Sequence, residues 1–77
     1  MHTVQIYLNS IDKVKAFVDS VNTFNTEFDL ISGRFVIDAK SIMGIFSLDL
    51  SKPLILNADT DDEELIKETF ADFIREE

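Results

Sequence analysis

The chain has no cysteine, one proline, two glycines and one histidine among its 77 residues. Without cysteine it can form neither disulfide bonds nor a thiolate metal site. Its apolar runs are too short to span a bilayer, and the first residues lack the basic segment and long apolar run of a secretory signal peptide. We therefore expect a single domain, residues 1–77, that lies in the cytoplasm and inserts into no membrane.

Positive charge is also scarce, since seven Lys and Arg face fifteen Asp and Glu and give a net charge of −8. Such a body repels phosphate backbones and anionic lipid, which argues against direct binding to nucleic acid or membrane. Acidic residues are dense in the last quarter of the chain, where we interpret them as a solvated helix face. Asp61 and Asp62 fall at a helix start with no histidine or cysteine nearby, so we predict no metal, no cofactor and no catalytic constellation.

The first half of the chain predicts a strand, a helix and a hairpin. Val4, Ile6 and Leu8 alternate with polar residues, which indicates a half-buried strand. Ser10 can cap an amphipathic helix that starts at Ile11 and extends to residue 24, before Asn25 and Thr26 end it. Residues 28–31 and 34–37 are rich in strand formers, and the Ser32-Gly33 link predicts a hairpin between them.

The second half predicts a short helix, a strand and a final helix. The short helix follows Ser41, and the fourth strand covers residues 54–56 after Pro53, whose missing N–H is harmless at a strand start. Thr60 and Glu63 form the sequence pattern of a capping box, which predicts a last helix that extends almost to Glu77.

This order of elements, βαββαβα, predicts an α+β fold. Three helices bury their apolar faces most economically on one side of a four-stranded antiparallel sheet, which gives a two-layer open-faced sandwich. The other face of the sheet is then solvated. We expect it to carry polar side chains opposite the apolar ones: Gln5, Tyr7, Asn9 and Asn57.

The short helix carries the most informative stretch, residues 40–48. Ser41 can cap the helix, and nearly every residue after it is apolar. In two turns these side chains cannot all face the core, so we assign Ile45 and Leu48 to the interior. Ile42, Met43 and Phe46 then form an exposed apolar patch, which favours a surface for a protein partner over simple packing. Gly44 weakens the helix by about 1 kcal/mol relative to alanine and suggests a close approach there.

The motif Lys40-Ser41-Ile42-Met43-Gly44, the order of elements and the length together resemble HPr, the phosphocarrier family of the bacterial sugar phosphotransferase system. The resemblance implies a sheet of order 1-4-2-3. It also implies that Ser41 is a regulatory serine, phosphorylated by HPr kinase to give a corepressor for a carbon-catabolite transcription regulator. Lys40, Ile42, Met43 and Phe46 would then bind partner proteins.

The family's phosphocarrier histidine precedes the first long helix, and an ungapped match places Ser10 there. Asp12 stands at the position of the phosphate-binding arginine. Serine has no imidazole nitrogen to gain and lose a phosphoryl group, and Asp12 would repel the phosphate. We interpret both positions as a degenerate active site and expect a non-enzymatic regulatory or docking protein of carbon metabolism. Its partners would be HPr kinase, phosphotransferase-system enzymes or a catabolite transcription regulator.

Two alternatives stay open. The chain could be a functional phosphocarrier with a displaced acceptor, for which His2 is the one histidine available. We expect His2 to precede the first strand. The chain could also be an unrelated binding or oligomerisation module that acts through Phe46.

Overall fold

A computed structural model describes residues 2–74 of the chain. The strands are β1 (His2–Ile6), β2 (Phe28–Ser32), β3 (Phe35–Asp38) and β4 (Leu54–Ala58). The helices are α1 (Ile11–Asn22), α2 (Ile42–Phe46), α3 (Glu63–Thr69) and α4 (Ala71–Ile74). Within this range no helix is long and apolar enough to cross a bilayer.

The four strands form an antiparallel sheet in the order β1-β4-β2-β3, with the helices on one face. This confirms the predicted α+β open-faced sandwich. One cross-strand row, Val4–Leu56–Leu30–Ile37, faces the helices and joins the core. The first strand starts at His2 and ends at Ile6, earlier than predicted, because its pairing with β4 begins at the His2–Ala58 pair.

The open face of the sheet is less polar than expected. The next cross-strand row is Gln5–Ile55–Ile31–Val36, so three of its four members are aliphatic. Val36 is 63% exposed, whereas Ile31 is half-buried by its neighbours. Strand propensity explains the departure, because β-branched side chains fit a pleated surface even where the surface meets water.

The C-terminal helix differs from its prediction at its start and at Phe70. The capping box was wrong: Asp62, not Thr60, caps α3, and its carboxylate accepts the Leu65 N–H at 3.1 Å. The Thr60 hydroxyl instead accepts the Asp62 N–H at 3.2 Å. The helix is also interrupted at Phe70, which separates α3 from α4. Its predicted continuation towards Glu77 lies outside the described residues.

Five phenylalanine rings form the centre of the core. Phe70 lies between Phe17 of α1 and Phe28 of β2, with ring centroids 5.6 and 5.7 Å away. Phe73 meets the same Phe17 ring edge-on at 5.6 Å, and Phe24 lies 6.3 Å from Phe70. The cluster therefore joins α1, the sheet and the C-terminal helices in one contact.

We predict that Phe70→Ala lowers the free energy of unfolding by about 3–5 kcal/mol, because it leaves a cavity among four rings. That loss is a large share of the roughly 4–12 kcal/mol expected for a chain of this length. Phe35→Ala is the matched control, since Phe35 is 68% exposed and its loss should change stability by less than about 0.5 kcal/mol. Urea denaturation followed by circular dichroism measures both, and equal losses would contradict the assignment of the core.

Candidate docking site around Ser41

Ser41 lies at the surface, at the N-terminal end of α2. Its backbone is extended (φ −92°, ψ 96°), and its hydroxyl oxygen accepts the Gly44 N–H at 3.3 Å. The Ile45 N–H donates to the Ser41 carbonyl at 3.0 Å. Serine suits this position because its short side chain satisfies a backbone donor that the first helical turn leaves unpaired. The side chain is therefore a helix cap and is also exposed to solvent.

Gly44 allows α2 to lie close to β3. A Cβ atom added at Gly44 would stand 3.1 Å from the Ser41 hydroxyl oxygen and 3.4 Å from the Cδ1 atom of Ile37. The glycine thus accommodates the capping hydroxyl on one side and the strand on the other. The close approach expected from the sequence is made by the chain itself.

The apolar side chains of α2 divide between the core and the solvent. Ile45 is fully buried, and Leu48 packs against the core just beyond the helix. Met43 is 76% exposed and Phe46 is 40% exposed. Ile42 is a correction, because it is half-buried and packs against the core. It is three residues from Ile45 and so shares the inward face of the helix. The exposed patch therefore consists of Met43 and Phe46, with Ile42 beneath it.

Lys40 is tied into the fold. Its Nζ donates to the Phe24 carbonyl at 3.2 Å, and its backbone N–H donates to Asp38 Oδ1 at 2.9 Å. A cation near the carbonyls that follow α1 is favourable because they lie at the negative end of that helix. The side chain is half-buried as a result, and it links the segment before α2 to the end of α1.

Ser10 and Asp12 lie at the start of α1, where Ser10 is the N-cap. The Ser10 hydroxyl accepts the Lys13 N–H at 3.1 Å, and the Ser10 carbonyl accepts the Val14 N–H at 3.1 Å. Ser10, Ile11 and Asp12 are all exposed. The predicted cap is therefore present, and the carboxylate of Asp12 stands in the first turn of α1, close in the chain to the hydroxyl of Ser10.

His2 lies at the end of β1 that is far from Ser10. It is the first residue of β1 rather than a residue before it, which corrects the expectation, and its Nε2 lies 3.9 Å from Glu63 Oε1. The hydrogen bond from Lys67, with the charges of Lys67 and then His2, holds the pKa of Glu63 below its usual range. From His2 to Ile6 the strand rises about 13 Å, so His2 lies at the opposite end of β1 from the segment that leads to Ser10.

A turn follows the α2 segment and borders a groove that sequence reasoning missed. Asp49 Oδ1 accepts the hydroxyl of Ser51 at 2.6 Å and its backbone N–H at 3.1 Å, and these bonds hold the pKa of Asp49 below its usual range. The groove, about 380 Å³, lies between this turn and the β2–β3 hairpin, with Phe35, Ile37 and Leu48 in its wall. The sequence offered one sign of this groove, which is the aromatic residue Phe35 directly after the Gly33-Arg34 turn.

Comparisons with known proteins agree with this geometry. No protein-family model matches the chain, and no curated protein sequence does. The solved structure of HPr-C-His from Thermoanaerobacter tengcongensis is similar, with 30% identity and a TM-score of 0.77 over 96% of this chain and 91% of that one. The phosphocarrier protein HPr from Bacillus anthracis str. Ames has 24% identity and a TM-score of 0.71, with 96% and 94% covered, and shares the fold. The chain is 30% identical to the first of these structures across nearly its whole length, its sheet has the order 1-4-2-3, and Ser41 caps the start of α2. The chain therefore belongs to the HPr family.

Proposed function

We propose that this HPr-family chain is a regulatory or docking protein of the phosphotransferase system that signals through Ser41 and does not relay phosphate through histidine. One observation carries the proposal: the exposed hydroxyl of Ser41 adjoins the exposed side chains of Met43 and Phe46. A modifiable group and an apolar surface on one short segment allow the charge state of the first to control what binds the second.

Phosphorylation of Ser41 is compatible with the fold. The hydroxyl already accepts a backbone N–H of the first turn, and a phosphate oxygen can accept the same kind of bond more strongly. An anion at this end of a helix also gains from the partial positive charge of the unpaired N–H groups. Phosphorylation would therefore add charge beside the patch without removing the cap that forms it.

The degenerate active site supports the second half of the proposal. Ser10 occupies the position that the family resemblance gives to the phosphocarrier histidine, and its hydroxyl is engaged as the cap of α1. A seryl phosphate is a stable ester and a poor donor, whereas imidazole exchanges phosphoryl groups near neutral pH. The exposed carboxylate of Asp12 adds repulsion where a bound phosphate would need a cation. We do not expect His2 to substitute for Ser10, because it begins the strand that ends near Ser10.

The patch provides a surface for the protein that reads Ser41. Met43 and Phe46 lie on the outer side of α2, while Ile42 and Ile45 anchor the same helix in the core. Flexible methionine and rigid phenylalanine side chains suit a weak, specific contact with an apolar partner surface. The partners proposed on this basis are HPr kinase, phosphotransferase-system enzymes or a catabolite transcription regulator.

We expect HPr kinase with ATP to add one phosphate to the wild-type chain, located on Ser41 by intact-mass measurement and peptide mapping. Ser41→Ala should remove it and lower the free energy of unfolding by about 1 kcal/mol through the lost cap. Ser47→Ala is the matched control, since Ser47 is exposed at the other end of α2 and its hydroxyl donates to the Gly44 carbonyl at 2.6 Å. An unmodified wild-type chain would reduce Ser41 to a helix cap.

Phe46→Asp should lower kcat/KM for this phosphorylation by roughly 10-fold or more, mainly through KM, because the kinase must dock beside its target serine. Leu65→Asp is the control, because Leu65 on α3 has the same 40% exposure as Phe46. Steady-state kinetics on folded variants compare the two. Equal effects, or no effect of Phe46→Asp, would show that the patch does not guide the kinase.

The displaced-acceptor alternative predicts acid-labile phosphate on His2 after incubation with phosphoenolpyruvate and the upstream phosphotransferase enzyme. We expect none, because His2 lies beside the carboxylate of Glu63 and at the opposite end of β1 from the segment that leads to Ser10. A histidine-containing HPr treated in parallel provides the positive control. Phosphate that disappears in His2→Ala would restore a phosphocarrier function.

A further inference from the structure

Strand β3 forms an open edge of the sheet and carries two exposed apolar side chains. It pairs only with β2 among the described strands. Phe35 is 68% exposed and Val36 is 63% exposed, and the two point to opposite faces because they are consecutive in a strand. Sheet edges are normally blunted by lysine, proline or a covering element because they can recruit another strand. Residues 35–37 of β3 carry neither lysine nor proline.

The backbone of Val36 points outward. The hairpin turn has a positive φ only at Gly33 (59°), as a type II′ turn requires, and it closes at the Ser32–Phe35 pair. Backbone polar groups of successive residues in an antiparallel strand point to alternate sides. Since Phe35 closes the turn towards β2, the N–H and C=O of Val36 point away from β2, at the centre of the free edge.

The sequence of this edge is complementary to itself. If two copies pair antiparallel with Val36 opposite Val36, then Arg34 lies opposite Asp38 and Phe35 lies opposite Ile37, once in each direction. Val36 and Asp38 share the open face of the sheet, whereas Phe35 and Ile37 face the helices. Arg34 is in the hairpin turn, one residue before β3, and pairing with a second copy would extend the strand to it. Opposite charges and paired apolar side chains each stabilise neighbouring strands. A two-fold axis through the Val36 pair forms the charged contacts and the apolar contacts together, each of them twice.

A local repulsion within one copy points the same way. Asp29 and Asp38 lie directly opposite each other in the β2–β3 register, and like charges in that position destabilise a sheet. Neither carboxylate takes part in an ion pair between described side chains. The guanidinium of Arg34 from a second copy would lie beside Asp38, on the face where these two acids meet.

We infer that β3 docks a second copy of this chain, antiparallel and centred on Val36, to form a continuous eight-stranded sheet. The contact covers both exposed apolar side chains of the strand and supplies a cation to the Asp29–Asp38 pair, which has none among the described side chains. The contact uses neither Ser41 nor the exposed side chains of α2, so a test of dimerisation and a test of the proposed function can fail independently. A short edge and a net charge of −8 per copy make this a weak, concentration-dependent dimer.

Sedimentation velocity at about 150 mM salt, where the Debye length is about 8 Å, tests the pairing with two charge reversals. Arg34→Glu alone sets the introduced carboxylate opposite Asp38 of the other copy and should be monomeric. Asp38→Lys alone sets the introduced ammonium opposite Arg34 and should be monomeric as well, although its net charge is smaller. An equimolar mixture of the two variants should form a heterodimer, because both cross-strand pairs then join opposite charges.

Lys15→Glu is the matched control, because Lys15 is exposed on α1 and its reversal changes the net charge as Arg34→Glu does. It should dimerise by itself and should form no stable heterodimer with Asp38→Lys, because its own Arg34 would then face the introduced ammonium. Circular dichroism verifies that each variant is folded. A wild-type chain that stays monomeric up to about 1 mM, or a mixture that does not regain the dimer, would overturn the inference.

Discussion

The contact among Phe17, Phe28 and Phe70 is the interaction on which the rest of the structure depends. It fastens α1 and the C-terminal helices to the sheet at one point, with centroids 5.6 and 5.7 Å from Phe70. A chain of 77 residues without cysteine has no covalent link to limit the unfolded state, so burial in this core must supply its stability. That burial holds the helix layer in place, and with it Ser10 and Ser41, which cap α1 and α2.

The segment around Ser41 shows how a short helix can be both anchored and available. Alone, five residues would not form a stable helix in water. Ile42 and Ile45 bury the inner face of α2, and the Ser41 hydroxyl caps its start. Lys40, the residue before the cap, donates a hydrogen bond to the end of the α1 segment. These contacts fix the backbone, and in doing so they leave Met43 and Phe46 in solvent. The same packing that stabilises the helix thus creates its exposed surface.

Charge acts on two scales in this molecule. The overall excess of acids opposes contact with any anionic surface and weakens self-association. Local pairing is independent of that excess: the edge from Arg34 to Asp38 carries one charge of each sign, and the Asp29–Asp38 pair concentrates negative charge at one point of the open face. Local pairs dominate between neighbouring strands, because opposed side chains in a sheet are closer than a Debye length and salt screens their interaction little.

The sequence alone determined the order of elements, the caps at Ser10 and Ser41, the hairpin at Gly33 and the inward positions of Ile45 and Leu48, since these follow from local periodicity and turn chemistry. The two-residue turn at Gly33 also fixes the hairpin register that sets Asp29 opposite Asp38. Tertiary structure decided the rest. Ile42 turned inward because β3 and the core lie beneath α2. The cap moved from Thr60 to Asp62, and the last helix is interrupted at Phe70. The open edge at Val36, in contrast to the hairpin register, exists only once the sheet order leaves β3 outermost, and no local pattern encodes the order of strands that are distant in the chain.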